Sequence, residues 1–576
     1  MITYKCTNCN DLSCETSICP VCHKRTTLVS SSIFYCENCD CPSFYEECQV
    51  CGSHCERIGS DIRPVFAKER LLIEIILGTP MKYAGKQMWN VGPQNFFVSG
   101  EKISLTMAGM KKVKLASIFE NLKKFDAENQ QFVDKDLCND SIIKFVNCNK
   151  MRLNSITDEA ISYIKKISKG FDSSSMFVSF SGGKDSTVTS DLVMRALGTE
   201  SVIHIYGDTT LEYPTSTEYI KSFRKEHPQT PVLIAKNKEQ NFTDLCSIVG
   251  PPSRVMRWCC TIFKTGAIAK KIEQTFGDKK RLLSFQGIRR SESISRSKYD
   301  RDTNSPKIAK QLVASPIIDW LDFDDWLYLL GNKVGFNFAY RQGFSRVGCW
   351  CCPNNSERSE FLSEIYMNDE YNKFRNILYM FAKTVGKEDW KEYVDSGNWK
   401  ARQGGNGLEY SRKTNVEFKP CAFDENSLNF DLIKPISPVL YTLFKPFGIL
   451  NFDIGNKRLG EVYVLDRKTQ QPLLKLSGKI GNTALKVTVI NSIGPFKIKK
   501  EAEMLIKNQI TKFQMCLGCL YCQSVCRFGA LKVSKMPSGE ISYTIDDSKC
   551  VGCLECVTHF DGGCYMKKIL RVKKGE

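Results

Sequence analysis

Twenty-eight cysteines in 576 residues constrain the fold of this chain more than any other feature. Eleven fall in the first 55 residues, eight in the last 61, and the remaining nine lie between, mostly in two groups. Many recur as Cys-x-x-Cys pairs. The N-terminus, "MITYKCTNCN", has no apolar leader core. The pairs therefore read as thiolate metal sites of an intracellular protein rather than disulfides of an exported one. With only five histidines, thiolate dominates any such site. No run approaches the roughly 18 consecutive apolar residues of a membrane helix, so a cytoplasmic chain with no membrane partner is expected.

Near the start, Cys6-x-x-Cys9 is followed by Cys19-x-x-Cys22, and Cys36-x-x-Cys39 by Cys48-x-x-Cys51. Each pair of pairs can close a tetrahedral four-thiolate site, and structural zinc is the expected metal at both, with a rubredoxin-like iron the alternative. Cys14, Cys41, Cys55 and His54 remain as spare ligands. Such ribbons either touch nucleic acid or a partner, or staple a module too small for its own core. The formal charge of +18 fits a polyanionic partner such as RNA or DNA, or simply a well-solvated basic surface.

The middle of the chain alternates apolar strands with amphipathic helices. "SMFVSF", "SVIHIYGD" and "TPVLIAKN" read as strands, and "STVTSDLVMRAL" and "STEYIKSFRKEH" as helices between and after them. That alternation predicts parallel βαβ units with both sheet faces covered, and hence an α/β fold class. Between the first strand and its helix stands Ser181-Gly182-Gly183-Lys184-Asp185-Ser186. Glycines let backbone N–H groups approach an anion, a helix N-terminus adds its dipole, and the serines and Lys184 add donors and charge. The spacing is not that of a Walker A loop.

This hexapeptide resembles the PP-loop of the ATP pyrophosphatases, the nucleotide α-hydrolase superfamily, which cleave ATP between its α- and β-phosphates. "DTTLEYPTSTEYI", "RWCCTIFK", "GIRRSESISR", "PIIDW" and "RVGCWCCP", in that order, are similar to the phosphoadenylyl-sulfate (PAPS) reductase family over roughly residues 155–410. The resemblance implies that Ser181, Gly182, Gly183, Lys184, Asp185, Ser186 and Gly287 bind an adenine nucleotide. It implies further that Asp208 contacts the nucleotide or Mg²⁺, and that Arg257, Lys264, Arg289 and Arg296 hold negative oxygens. Lys184 and Asp208 join these cations as candidate catalytic residues. Cys259-Cys260 with the distant Cys349-x-x-Cys352 resembles the 4Fe–4S site of adenylyl-sulfate reductases, with Cys351 an alternative ligand or free thiol.

At the other end, Cys516, Cys519, Cys522 and Cys526, then Cys550, Cys553, Cys556 and Cys564, approach the spacing of a bacterial two-cluster ferredoxin. In that fold one cluster would take Cys516, Cys519, Cys522 and Cys564, and the other Cys550, Cys553, Cys556 and Cys526. Arg527 replaces the usual proline, and Cys564 follows a longer gap.

The expected organisation is tandem zinc ribbons at 1–58, a small α+β domain at 60–150, the PP-loop α/β domain at 155–410, a β-rich connection at 411–505 and a ferredoxin-like α+β domain at 506–576. Expected cofactors are three 4Fe–4S clusters, two zinc ions and ATP with Mg²⁺. Three activities follow. The first is ATP-dependent adenylation of an acceptor followed by sulfur transfer, with a cysteine desulfurase or sulfide as sulfur donor and an external electron donor. It is favoured by the intact loop and by the lack of the reductases' Glu-Cys-Gly-x-x-His element. The second is reduction of adenylyl sulfate or PAPS to sulfite, and the third a non-catalytic iron–sulfur nucleotide sensor.

Overall fold

The structure is a computed structural model. It describes every residue except 1, 7, 10–11, 14–18, 24–25, 136–139, 278, 280, 306–309, 403–416, 492–498, 559–563 and 565–576. Two three-stranded antiparallel sheets open the chain. Ile2–Lys5 lies between Leu12–Ser13 and Thr27–Ser31, and Ile33–Cys36 between Cys41–Ser43 and Glu56–Gly59. A four-stranded antiparallel sheet follows, from Arg63–Val65 through Met88–Gly92 and Asn95–Val98 to Glu101–Ser104. Helices Ala67–Ile76 and Leu115–Asp134 pack on each other beside it.

The central sheet has six strands, in the spatial order Val232–Lys236, Ile203–Asp208, Met176–Ser179, Leu282–Gln286, Gln311–Ala314 and Asp302–Asn304. All neighbours run parallel except the last pair. Successive side chains serve opposite faces. Met176 and Val178 join the core with Val188 and Leu192 of helix Lys184–Leu197. Phe177 joins Ala267, Ile272 and Phe276 of helix Gly266–Phe276 on the other face. Covered on both sides, these strands can be apolar throughout, which is why "MFVS" and "LLSF" show no polar alternation. Strand order reverses between Met176–Ser179 and Leu282–Gln286, so a crevice opens at their carboxyl ends.

Beyond residue 416, six antiparallel strands from Glu417–Cys421 to Ala484–Val489 form a second large sheet. Its buried Val464, Leu474 and Val487 share one core with Leu505 and Ile506 of helix Lys499–Met515, and with Leu531, Ile545 and Val557 beyond that helix. Among the described residues, no helix is long and apolar enough to cross a membrane.

Candidate active site and metal centres

The loop at the crevice starts at buried Phe180, whose ring packs against His204 and Phe223. It turns through Gly182, at φ +71°, a left-handed conformation that glycine adopts without strain. Ser186 Oγ closes the loop by donating to the Gly183 carbonyl (2.8 Å) and accepting the Ser181 N–H (3.2 Å). The Tyr340 hydroxyl accepts the Lys184 N–H at 2.8 Å. Gly287, just past the neighbouring strand, presses on this loop. A Cβ there would sit 2.4 Å from the Asp185 carbonyl oxygen and 2.7 Å from the Ser186 nitrogen.

Beneath the loop lies a buried charge cluster. The Lys184 ammonium is 2.8 Å from Asp322, 3.1 Å from Asp185 and 3.3 Å from Asp325. Arg289 pairs with the same three carboxylates. Asp61 accepts the backbone N–H groups of Asp322 and Phe323, both at 2.9 Å, at the start of helix Asp322–Gly331. Burial, reinforced by the charge of Asp322, pushes the Asp61 carboxyl up to about 7. Burial also lifts Asp325 well above the carboxylate range. Arg289 and Lys184 overcome the same burial at Asp185 and hold it well below that range. The same surroundings thus drive the Asp185 and Asp325 carboxyls in opposite directions.

Lys184 and Arg289, expected to hold nucleotide oxygens, both face carboxylates in this structure. Both are almost fully buried, and converging carboxylates take their charge. Their observed work is to fix Asp185 and the first turn of the helix. Arg296, in an exposed segment, pairs with Glu292. Asp208 sits at its strand's carboxyl end, accepts the Thr210 N–H at 2.8 Å and pairs with Lys236 at 2.9 Å.

The next residue, Thr209, leads to the central cysteines. Its hydroxyl lies 3.5 Å from Cys349 Sγ and donates to Glu212 at 2.7 Å. Trp350 N–H donates to the Leu211 carbonyl at 3.0 Å, joining the "DTTLE" loop to "GCWCC". Cys259 immediately precedes a π-helical turn, Cys260–Thr265, a widened geometry frequent at functional sites. The thiols of Cys259, Cys260, Cys349 and Cys352 are near enough to act on one another. Cys259 is raised well above the thiol range by its contact with Cys260, by burial and by the charges of Cys260 and Cys349. Burial raises Cys349 to about 12, with Glu212 and Cys352 adding, and Cys352 in turn feels Cys260. Half-buried thiols that resist one another's ionisation are an arrangement that a bound metal centre relieves, so this donor set is one that could hold an iron–sulfur cluster. The exposed cations Arg257 and Arg346 act on Cys352, and exposed Lys264 on Cys349.

Two matching turns hold the C-terminal cysteines. "CLGCLYC" and "CVGCLEC" place Gly518 and Gly552 at φ +75° and +68°, and Leu520 and Leu554 at φ +55° and +59°. Each turn then enters a short helix, Tyr521–Val525 or Glu555–Thr558. Cys516 and Cys519 feel Cys564, Cys553 feels Cys526, and Cys556 feels Cys522 ahead of Cys526. Cys526, Cys550, Cys553 and Cys556 line a small apolar hollow walled by Pro446, Leu531 and Ile545. Four thiols around an apolar hollow suit a 4Fe–4S cluster.

At the N-terminus, the sulfurs of Cys6, Cys9, Cys19 and Cys22 lie within 4.8 Å of one another, as do those of Cys36, Cys39, Cys48 and Cys51. Cys6–Cys22 and Cys9–Cys19 are 3.5 and 4.0 Å apart, and Cys36–Cys51 and Cys39–Cys48 are 3.4 and 3.6 Å apart. Tetrahedral zinc with bonds of about 2.3 Å requires sulfurs about 3.8 Å apart, so both sets fit that ion.

Residues 175–355 match the phosphoadenosine phosphosulfate reductase domain family. The chain carries a PAPS reductase domain. Residues 515–559 match the 4Fe-4S dicluster domain. An uncharacterized protein of Methanocaldococcus jannaschii is 34% identical over 259 residues, which are 44% of this chain and 51% of its own length. The chain thus spans about half of that relative. An adenosine 5'-phosphosulfate reductase of Neisseria meningitidis serogroup B is 36% identical over 109 residues, 18% of this chain and 39% of its own. Among solved structures, the PAPS reductase from Candida auris in its phosphate complex covers 33% of this chain and 95% of its own, at 12% identity and a TM-score of 0.25.

Several residues of the PAPS reductase domain's site escaped the sequence reading. Asp61, Asp322, Asp325 and Tyr340 lie far from the loop in sequence, with the acidic helix start "DFDD" hinting at two of them, while Arg346 opens the motif "RVGCWCCP". Glu212 lay inside a quoted motif.

Proposed function

We propose that this chain is an iron–sulfur reductase. It binds an adenine nucleotide carrying an activated sulfate, of the adenosine 5'-phosphosulfate type, and cleaves its S–O bond to AMP and sulfite. One observation carries this reading: the dicluster domain packs directly on the central cysteine turn. The Tyr521 hydroxyl, between Cys519 and Cys522, hydrogen-bonds Thr261 Oγ1 at 3.1 Å, beside Cys260. The cleavage consumes two electrons, both entering the sulfur as the bond to the phosphate oxygen breaks. Bound clusters would supply one-electron carriers for them, refilled by an external electron donor. The loop 181–186, with Gly287, receives the nucleotide phosphate at the crevice. Arg257, Lys264 and Arg346 are the exposed cations placed to hold the sulfate beside the central thiols. The adenosine 5'-phosphosulfate reductases among the relatives agree with this substrate class.

The completeness of the Ser181–Ser186 loop favours a second reading. There ATP, with Mg²⁺ near Asp208, is cleaved at its α–β bond to adenylate RNA, DNA or a small molecule for thiolation by sulfide or a cysteine desulfurase.

One experiment separates the two. Anaerobically reconstituted protein is reduced and given adenosine 5'-phosphosulfate or PAPS, or else ATP with sulfide and RNA. Sulfite and AMP in equal amounts are expected from adenosine 5'-phosphosulfate, and sulfite with adenosine 3',5'-bisphosphate from PAPS. Arg257→Ala and Lys264→Ala should lower kcat/KM by tenfold or more, because each removes a cation from a developing sulfite dianion. Pyrophosphate from ATP without sulfite from either sulfonucleotide would replace the reductive reading by the second.

A further inference from the structure

Helix Lys499–Met515 ends one turn after a lysine that should be at the surface and is not. Lys512 is 2% exposed. Its ammonium donates to the Cys556 carbonyl at 2.6 Å, and its own carbonyl accepts the Cys516 N–H at 3.1 Å. Among the described residues no carboxylate lies within ion-pair distance of it. The charged groups that act on it are the thiols of Cys522, Cys556, Cys564 and Cys516. Three of these belong to one expected ligand set and Cys556 to the other. A buried ammonium is tolerated only when paired. Among the described residues, the negative charge within reach is that of these cysteines, which two bound clusters would hold as thiolates.

We infer that Lys512 is a shared counter-ion for both clusters of the dicluster domain, raising their reduction potentials from a fixed position between them. The inference goes beyond the proposed reaction and depends only on the dicluster domain, so it survives whichever substrate is correct. An added electron increases the negative charge of a cluster, so a nearby fixed cation favours the reduced form, and burial keeps solvent from screening it. Three of the four thiols that act on Lys512, those of Cys516, Cys522 and Cys564, belong to one expected ligand set, and Tyr521 within that set's turn bonds Thr261 beside the central cysteines. A positive charge there holds electrons on the side from which they leave.

The test is an EPR-monitored redox titration of full-length, iron-loaded protein. Lys512→Met removes the charge and keeps the length. Lys512→Gln also removes it but keeps a donor for the Cys556 carbonyl, and Lys512→Arg retains charge. The two neutral variants should each shift the reduction equilibrium of at least one ferredoxin cluster tenfold or more toward the oxidised form, about 59 mV for one electron. Lys512→Arg should stay within threefold of the parent. Unchanged potentials in a neutral variant with full iron content would overturn the inference. So would failure of all three variants, Arg included, to load iron, since shape rather than charge would then be decisive. Failure of only the neutral variants to load would support it, because charge would then decide cluster retention.

Discussion

At Gly287 a single hydrogen atom decides whether the nucleotide loop can form. The strand Leu282–Gln286 delivers this residue against the backbone of Asp185 and Ser186, not against a side chain that could swing away. Gly287→Ala must move either the strand end or the first turn of helix Lys184–Leu197. Overpacking of this kind costs about 1–3 kcal/mol. The variant should therefore unfold at lower denaturant concentration than the parent by that amount. It should also bind adenosine 5'-phosphosulfate at least tenfold more weakly in calorimetry, because the displaced atoms are the loop itself. Gly348→Ala is the control, since nothing lies within 4 Å of a Cβ there. Equal affinity in the two variants would show that the loop tolerates displacement. Residue-scale features of this sort divide sharply in how legible they are. The serines and glycines of the loop announce themselves, because a phosphate loop is contiguous. The carboxylates that engage Lys184 and Arg289 do not, because Asp322 and Asp325 meet Asp185 around these cations only through the fold.

At the scale of elements, the parallel sheet was the most legible part. Its strands are short apolar runs and its helices amphipathic, and both periodicities stand in the sequence. The π-helical turn at Cys260–Thr265 was not legible, because one inserted residue per turn leaves no compositional mark. Its consequence is large. Gly266 begins the next helix, and a Cβ there would lie 2.5 Å from the Ser524 carbonyl oxygen of the dicluster domain. The two domains touch there because Gly266 has no side chain. Gly266→Leu should hold helix Tyr521–Val525 away from Thr261 while leaving every cysteine in place. Iron content should stay at about twelve atoms for three clusters. Reduction of the central cluster by the dicluster domain, followed by freeze-quench EPR, should slow at least tenfold. Unaltered transfer in a fully loaded Gly266→Leu protein would mean that electrons reach the central cysteines by another route.

Across the whole molecule, the cysteine spacing located the metal sites without revealing which of them the rest of the chain depends on. The two N-terminal sites look equivalent in sequence and differ in the structure. Cys36 and Cys48 belong to the same buried core as Phe323 and Trp326 of the central domain, whereas Cys6 and Cys19 are outside it and the first ribbon reaches that core through Tyr4. Asn149 ties the second ribbon down further, donating to the Pro42 carbonyl at 2.9 Å and accepting the Phe44 N–H at 2.8 Å. Cys148, the residue before it, lies 3.6 Å from Cys48. Loss of metal from the second site should therefore spread into the nucleotide domain, and loss from the first should remain local. Cys39→Ser should lower the Tm of the central domain by about 10 °C or more, since a structural zinc contributes folding free energy directly. Cys9→Ser should release one zinc while moving that transition by no more than about 2 °C, and both variants should keep their full iron. The measurement is calorimetry paired with zinc and iron analysis of the same samples. Equal Tm losses in the two variants would show that both ribbons, not only the second, are built into the core that carries the nucleotide loop.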